Sequence, residues 1–536
     1  MKRNSYNATL LLASALVLIS SLNALPCLGQ EKRNVIRQNP KLIVGITVDQ
    51  LRTDYIHALQ NKLGEKGLKR LMNEGLVYEN VIFDLDNIDA TAALAVFATG
   101  TYPFYNGVTS ASVYNQELLR NQSVFFDQQY IGNSTSGNYS PKALIGTTLS
   151  DELKAASNNL SKIYSIAPNA EEAIIGAGHS GDCAIWFDEK TGKWASTTYY
   201  KDFPQIVVRQ NYETPLFVDV SKAEWSPKYR GGNLDFMPYS NSTLVGFSHT
   251  FVQDRRIIYP WVKTSPLINK AISELAKQFI RQGRIGLNNT TDMLQLTYYA
   301  GTYQHAAQEE GIPELQDIYL RLDQNIEDLL STIDSYIGLS NSIIYLVGTG
   351  NTDNNYRSIN EIVLGEFVGS RCTALLNSYL ISLYGQGNWV GAFENSQIYL
   401  NHKTIEDKKL KLAEVQRAAA EFVMMFSGVS DVVTANQILH EDNTAKISRI
   451  RNNYNKTFGG DLFVMLQPGW VFKADDSSQT KPMMRYDFAP GPAIIFAPGV
   501  VTSKRIETPI DATVISPTIA KTIRIRAPSG CNKLSL

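Results

Sequence analysis

From Lys41 to Val48 the chain reads KLIVGITV, a nearly unbroken apolar and β-branched run that predicts a strand buried on both faces of a parallel sheet. It ends in the polar pair Asp49-Gln50, at the strand end where open α/β sheets place their sites. Helical spacing from Leu63 to Asn73 is followed by a strand-like run, Leu76 to Phe83, and by a helix of small residues, Ala90 to Gly100. Asp292 to Tyr299 and Ser342 to Val347 predict two more strands, separated by a long amphipathic helix from Pro313 to Ile337. Pro492 to Phe496 reads as another buried strand. This alternation predicts an α/β fold, a central mostly parallel sheet covered by helices on both faces.

Two regions break the alternation. Residues 180–262 hold hairpin-like runs (CAIWFD, then WASTTYY) and a Pro/Gly/Asn-rich tract, as expected of a cap-like insertion over the sheet's carboxyl edge. Residues 385–476 read as a second insertion, with a charged helix from about Ile405 to Phe426.

With 50 basic and 51 acidic residues among 536, the chain has no general attraction for nucleic acid or anionic membrane. Its 27 Tyr, 21 Phe and 6 Trp exclude a disordered chain. Lys2 and Arg3, the apolar stretch Leu10 to Leu22 and a polar exit read as a secretory signal peptide over residues 1–30, with cleavage near Gly29 or Gln30. Lipidation at Cys27 and an uncleaved anchor are the alternatives. The apolar run falls short of the roughly 20 residues of a membrane span. The expected address is the periplasm or outer cell envelope, with no integral span after signal removal. Cys183, Cys372 and Cys531 form no C-x-x-C pair, which argues against a cysteine zinc site and leaves any disulfide pairing open.

The segments VDQLRTDYI (48–56), KRLMNEGLVYEN (69–80), ATGTYPFYNGV (98–108), YLRLDQNIEDLLSTID (319–334), QIYLNHKTIEDKKL (397–410), GDLFVMLQPGW (460–470) and PAIIFAPGV (492–500) follow one another in an informative order. Together with AGHSGDCAIWFDEKTGKWASTTYY (177–200) they resemble the alkaline phosphatase superfamily, in particular exported phosphatases related to type I phosphodiesterases and nucleotide pyrophosphatases. The resemblance spans residues 31–536. It implies an alkaline-phosphatase-like domain with cap insertions and, in active members, two zinc ions held by Asp and His beside a Thr or Ser nucleophile.

Position by position, the chemistry is depleted. Asp49 stands where the family's first metal-binding aspartate stands. The nucleophile aligns with Ala90, with Thr91 one residue away as a vestigial candidate. The family's Asp-x-x-x-His becomes Thr302 and Ala306, with His305 one position off, and its Asp-His-Gly turn becomes Thr349-Gly350-Asn351. The last His-Gly has no counterpart in Ser478 to Met484. A phosphate-holding Lys-x-Arg becomes Asn169 and Glu171, reversing the sign of the contact. The six histidines (57, 179, 249, 305, 402 and 440) show no metal-binding spacing. Asp84, Asp86 and Asp89 lack the glycine and distal glutamate of an EF-hand loop.

These readings predict a pseudoenzyme that needs no cofactor and acts through a protein partner in the cell envelope, with Tyr199-Tyr200 and Tyr298-Tyr299 as candidate contact surface. The emptied metal cleft is expected to be collapsed or plugged. Alternatives are a metal-dependent phosphoric ester hydrolase rebuilt on Thr91 and Asp49, or a non-hydrolysing binder of phosphorylated or sulfated ligands.

Overall fold

In the computed structural model, Leu42–Asp49 forms strand β1, near the middle of the main sheet. The residues described are 39–85, 88–201, 203–229, 246–251, 255–306, 312–349, 365–440, 444–473, 475 and 490–536. The other strands that position the site are β2 (Leu76–Ile82), β3 (Ile163–Ala167), β4 (Cys183–Asp188), β5 (Lys193–Thr197), β6 (Asp292–Tyr299), β7 (Ser342–Gly348) and β8 (Gly491–Phe496). Across the sheet they run β2-β8-β7-β1-β6-β3-β4-β5. The five strands from β7 to β4 are parallel, whereas β8 runs against β7 and β2, and β5 folds back on β4. The register pairs Asp49 with Tyr299 on one side and Val48 with Gly348 on the other, so three strands end side by side.

Five helices matter here: α1 (Ala90–Thr99), α2 (Ala170–Ala177), α3 (Arg255–Lys263), α4 (Pro266–Arg281) and α5 (Ile312–Tyr336). The alternation of β1 sorts its side chains between two cores. Val44, Ile46 and Val48 join Ile272 of α4 and Ile318 and Leu322 of α5, while Ile43 joins Val96 and Phe97 of α1. Burial on both faces is why β1 reads as one apolar run. Its Gly45 lies under Gln295 and Tyr345, where a Cβ would come within 2.0 Å of the Gln295 amide oxygen.

Helix α5 carries a row of buried contacts. Asp323 accepts from the N–H groups of Gly64 (2.8 Å) and Leu68 (2.7 Å). That contact, with Gly67 packed against Asp323, delays the helix expected from Leu63, which runs instead over Leu68–Glu74. The Tyr319 hydroxyl accepts from Arg52 N–H (2.9 Å) and donates to the Gln50 carbonyl (3.1 Å). Toward its start, α5 holds a short hairpin, Glu224–Trp225 with His249–Thr250. Glu314 meets His249 Nε2 at 2.9 Å, and Asp317 accepts from Trp225 Nε1 and Lys228 N–H at 2.6 Å each.

The two interrupting regions differ in kind. Residues 180–262 begin inside the main sheet, because β4 and β5 belong to it, with only the short strand Gly132–Asn133 beyond β5, so any cap starts after β5. The 385–476 region builds a separate sheet, Val390–Glu394, Gln397–Leu400, Leu462–Leu466 and Val429–Thr434 in spatial order. Its core also takes Cys372, Leu376 and Leu380 from the helix Gly369–Tyr384, placing the start of this unit before residue 385. The single charged helix expected from Ile405 to Phe426 is two, His402–Asp407 and Leu412–Val423, divided where Lys409 takes φ 54°. Cys183, Cys372 and Cys531 are all free thiols. Residues 1–38, including the expected signal segment, lie outside the described residues.

Candidate functional site

The site grows from the end of β1. Gln50 turns the chain at φ 60°, buried against Gly301, where a Cβ would meet its amide at 2.5 Å. Its N–H donates to Thr349 Oγ1 (3.0 Å), and that hydroxyl donates to Asp49 Oδ1 (2.9 Å). Thr349 N–H reaches the Val48 carbonyl at 3.2 Å, and Thr349 is fully buried. The expected metal position Thr349 is thus a clasp between β1 and β7. Thr302 receives the Tyr299 hydroxyl on its carbonyl (2.7 Å), and Ala306 packs against the larger core. His305 is exposed and lies over Trp261, ring centroids 4.4 Å apart, and desolvation there lowers its pKa. Gly350, Asn351 and Ser478 to Met484 lie outside the described residues.

Thr91 is in the first turn of α1, where Asp89 is the N-cap. The Asp89 carboxylate accepts from Thr91 N–H (2.8 Å) and also engages the Thr91 side chain. Such a cap satisfies a helix-end donor. Thr91 is buried, and Ala90 rather than Thr91 faces the cavity. Asp89 keeps some exposed surface, yet crowding by protein desolvates its carboxyl and raises its pKa despite the cap hydrogen bonds.

A cavity of about 480 Å³ opens in front of Asp49, Gln50 and Asp89, bounded by the β3 and β6 ends and by α3. Among the described residues the cleft beside Asp49 is therefore not collapsed. Of the family's ligand and nucleophile positions, Asp49 and Ala90 line it. On its far wall Asn169 and Glu172 form a capping box at the start of α2. Asn169 N–H and Nδ2 donate to the Glu172 carboxylate at 3.2 and 3.0 Å. Burial pushes the Glu172 pKa up to about 7, against the lowering effects of Asn169 and Lys263. Lys263, at the end of α3, donates from Nζ to Asn169 Oδ1 (2.9 Å) and pairs with Glu189 (3.1 Å). Glu171 turns elsewhere, accepting from Ser123 Oγ at 2.5 Å.

A family profile described as type I phosphodiesterase / nucleotide pyrophosphatase matches residues 43–488. The chain belongs to that family. Within the alkaline phosphatase superfamily, it is 30% identical to a protein of Myroides odoratus named calcium-transporting ATPase, over 92% of this chain and 93% of that one. It is 26% identical to alkaline phosphatase PafA of Elizabethkingia meningoseptica, over 94% and 95% of the two chains. The crystal structure of wild-type PafA superposes with a TM-score of 0.80 at 25% identity, covering 93% of this chain and 98% of that one.

Three of the histidines are held by carboxylates of the fold. His179 bridges Asp151 and the Leu144 carbonyl at 3.0 Å each, His402 contacts Asp461 at 2.9 Å, and His57 contacts Glu79 at 3.2 Å. Among the described residues, no three His, Cys, Asp or Glu side chains converge as a metal cage. Asp84 and Asp89 serve different elements, since Asp84 faces Arg449 and Asn452, while Asp86 lies outside the described residues. The tyrosines expected at a surface are largely internal. Tyr200 donates to the Gly178 carbonyl, and Tyr298 pairs with Ser273. Their strand-end positions face the cores, which corrects the contact-surface reading. No helix among the described residues is long and apolar enough to cross a membrane. Sequence reading missed Glu172, Glu189 and Lys263. The Asn169-x-x-Glu172 capping box was a visible signal, whereas Lys263 comes from 94 residues away.

Proposed function

We propose that this family member is a non-hydrolysing binding protein of the cell envelope, a pseudoenzyme that keeps the phosphodiesterase scaffold and its cleft. The observation carrying the reading is the 2.9 Å hydrogen bond by which Thr349 serves Asp49, the one retained ligand residue. Zinc needs several Asp, His or Cys donors converging on one point. Thr302 and Ala306 offer no such donor, and Thr349 directs its hydroxyl proton at the carboxylate a metal would use. The described residues therefore do not fit the family's zinc pair, and no catalytic step is derived through it. A hydrolase rebuilt on Thr91 finds little support, since that side chain is buried and turned to Asp89.

The test is metal analysis joined to turnover. Protein purified without chelator is expected to carry well under one zinc per chain and to cleave neither phosphate monoesters nor diesters. Two tightly held zinc ions with zinc-dependent cleavage would overturn the reading. Binding through a protein partner predicts co-purification from envelope extracts that survives Thr91→Ala.

A further inference from the structure

We infer that the outer groove between α4 and α5 binds a free α-amino acid with an apolar side chain. The site is separate from the cleft beside Asp49 and goes beyond the non-hydrolysing reading.

Helical spacing builds the groove. Pro266, Leu267, Lys270 and Glu274 present one face of α4, and Arg321, Gln324, Asn325 and Asp328 present one face of α5. The two helices run side by side in the same direction, since Arg281 at the end of α4 meets Thr332 near the end of α5. The hairpin residues Glu224 and Trp225 stop the groove at the end toward Asp317. The cavity between them is about 240 Å³, just under the roughly 300–1,000 Å³ of drug-sized sites. One liquid water takes about 30 Å³, so a single bridging water does not fill it. An occupant the size of one amino acid does.

The observation that points to a ligand is Asn325. It is 9% exposed and lines the cavity, yet its side chain makes no hydrogen bond among the described residues. Buried amides are ordinarily paired, because an unpaired one forfeits its hydration. On the same helix Asp317 and Asp323 are each engaged by the fold, so the exception is local to the groove. An amide can offer its oxygen to an ammonium and its nitrogen to a carboxylate at once.

The charges around Asn325 are sorted to match. Exposed Lys270 makes no ion pair among the described residues, because Glu274, four residues on, turns to Lys277 instead (2.7 Å). Arg321 is held by Asp317 and by the Ser226 carbonyl (2.8 Å), and Glu224 accepts from Ser248 Oγ (3.0 Å). Lys270 is therefore the cation that faces a carboxylate. Glu274 and Asp328 lie at the end away from the hairpin, on the side an ammonium would take. Trp225, Pro266 and Leu267 supply apolar surface for a side chain at the other end. A zwitterion satisfies both sides of this groove, whereas a phosphate or a simple amine satisfies one.

The full chain is titrated with L-leucine by isothermal titration and thermal shift. N-acetyl-L-leucine, which lacks the ammonium, and L-leucinamide, which lacks the carboxylate, are the matched controls. Leucine is expected to bind saturably and raise Tm, and each control to bind about tenfold more weakly, the loss of one charged hydrogen bond. Asn325→Leu should abolish leucine binding while raising the Tm of the ligand-free protein, because it removes the unpaired amide. Lys270→Gln and Asp328→Asn, at exposed positions whose side chains the fold does not use, should each weaken leucine about tenfold. The proposal is overturned if leucine gives no shift beyond the two controls, which would leave the cavity to water alone. Leucinamide binding as tightly as leucine, or leucine binding that ignores all three variants, would also overturn it. None of these readouts depends on zinc content, so their outcome is independent of the non-hydrolysing reading.

Discussion

Thr349 and Asp49, 300 residues apart in the chain, are joined by a 2.9 Å hydrogen bond across the ends of two adjacent parallel strands. The same hydroxyl accepts from Gln50 N–H, so one buried oxygen satisfies two partners. Thr349→Val should remove both contacts at similar volume and cost about 1–3 kcal/mol, because the Gln50 N–H loses its acceptor. Asp49→Asn should cost about 1 kcal/mol and abolish no hydrolysis. Urea unfolding of both variants and the double mutant should give a coupling of at least about 0.5 kcal/mol. Additive losses would mean that the contact is not energetically shared.

A second prediction concerns pH. The hydrogen bond to Asp151, opposed by desolvation, raises the pKa of His179 from 6.5. Desolvation pushes Asp151 the other way, but His179 and the Thr148 and Ser180 N–H groups outweigh it and lower its pKa from 3.8. Since the folded His179 pKa is the higher one, its contribution is complete below pH 6.5 and is lost as pH rises through the folded value. The Asp151 contribution is complete above pH 3.8 and is lost as pH falls through its lowered value. The stability gap between wild type and His179→Gln should therefore be widest between these limits and narrow on the alkaline side. A gap independent of pH from 5 to 9 would contradict the charged pairing.

Gly45→Ala tests the close packing over β1. Its Cβ would lie 2.0 Å from Gln295 Oε1 and 2.3 Å from the Tyr345 hydroxyl, and those two side chains hydrogen-bond each other. Overpacking of this kind costs about 1–3 kcal/mol. A Tm equal to wild type would show that the pair can move aside.

The thiols should remain unlinked, with identical mobility on reducing and non-reducing gels. Burial pushes the Cys372 pKa up to about 12, and Cys183 is fully buried, so neither should react with iodoacetamide before unfolding. Cys531, partly exposed, should label first.

The sheet was legible because its strands are apolar on both faces. Asp292 to Tyr299 matches β6 at both ends, and the α5 prediction differs from the observed helix by one residue at each end. Boundaries failed where a distant side chain intervened, as Asp323 does at Gly64 and Leu68. The main sheet's claim on Cys183–Asp188 was hidden because a hairpin looks alike on a sheet and in an insertion. Asp49 was readable as a strand-end carboxylate. Its partner Thr349 was readable only as a missing ligand, since spacing does not report which hydroxyl closes a distant strand end. Lys263 and Glu189 meet from either side of a long connection, and no local pattern encodes that meeting.

Helix α5 gives the molecule a mechanical property. Its 25 residues form a rod of about 37 Å at the standard helical rise. Near one end Glu314 and Asp317 grip the hairpin at His249 and Trp225; five residues on from Glu314, Tyr319 holds the backbone on both sides of Leu51. The hairpin and the turn after β1 are thus tied to the same short stretch of one helix, His249 and Trp225 through Glu314 and Asp317, and the backbone around Leu51 through Tyr319.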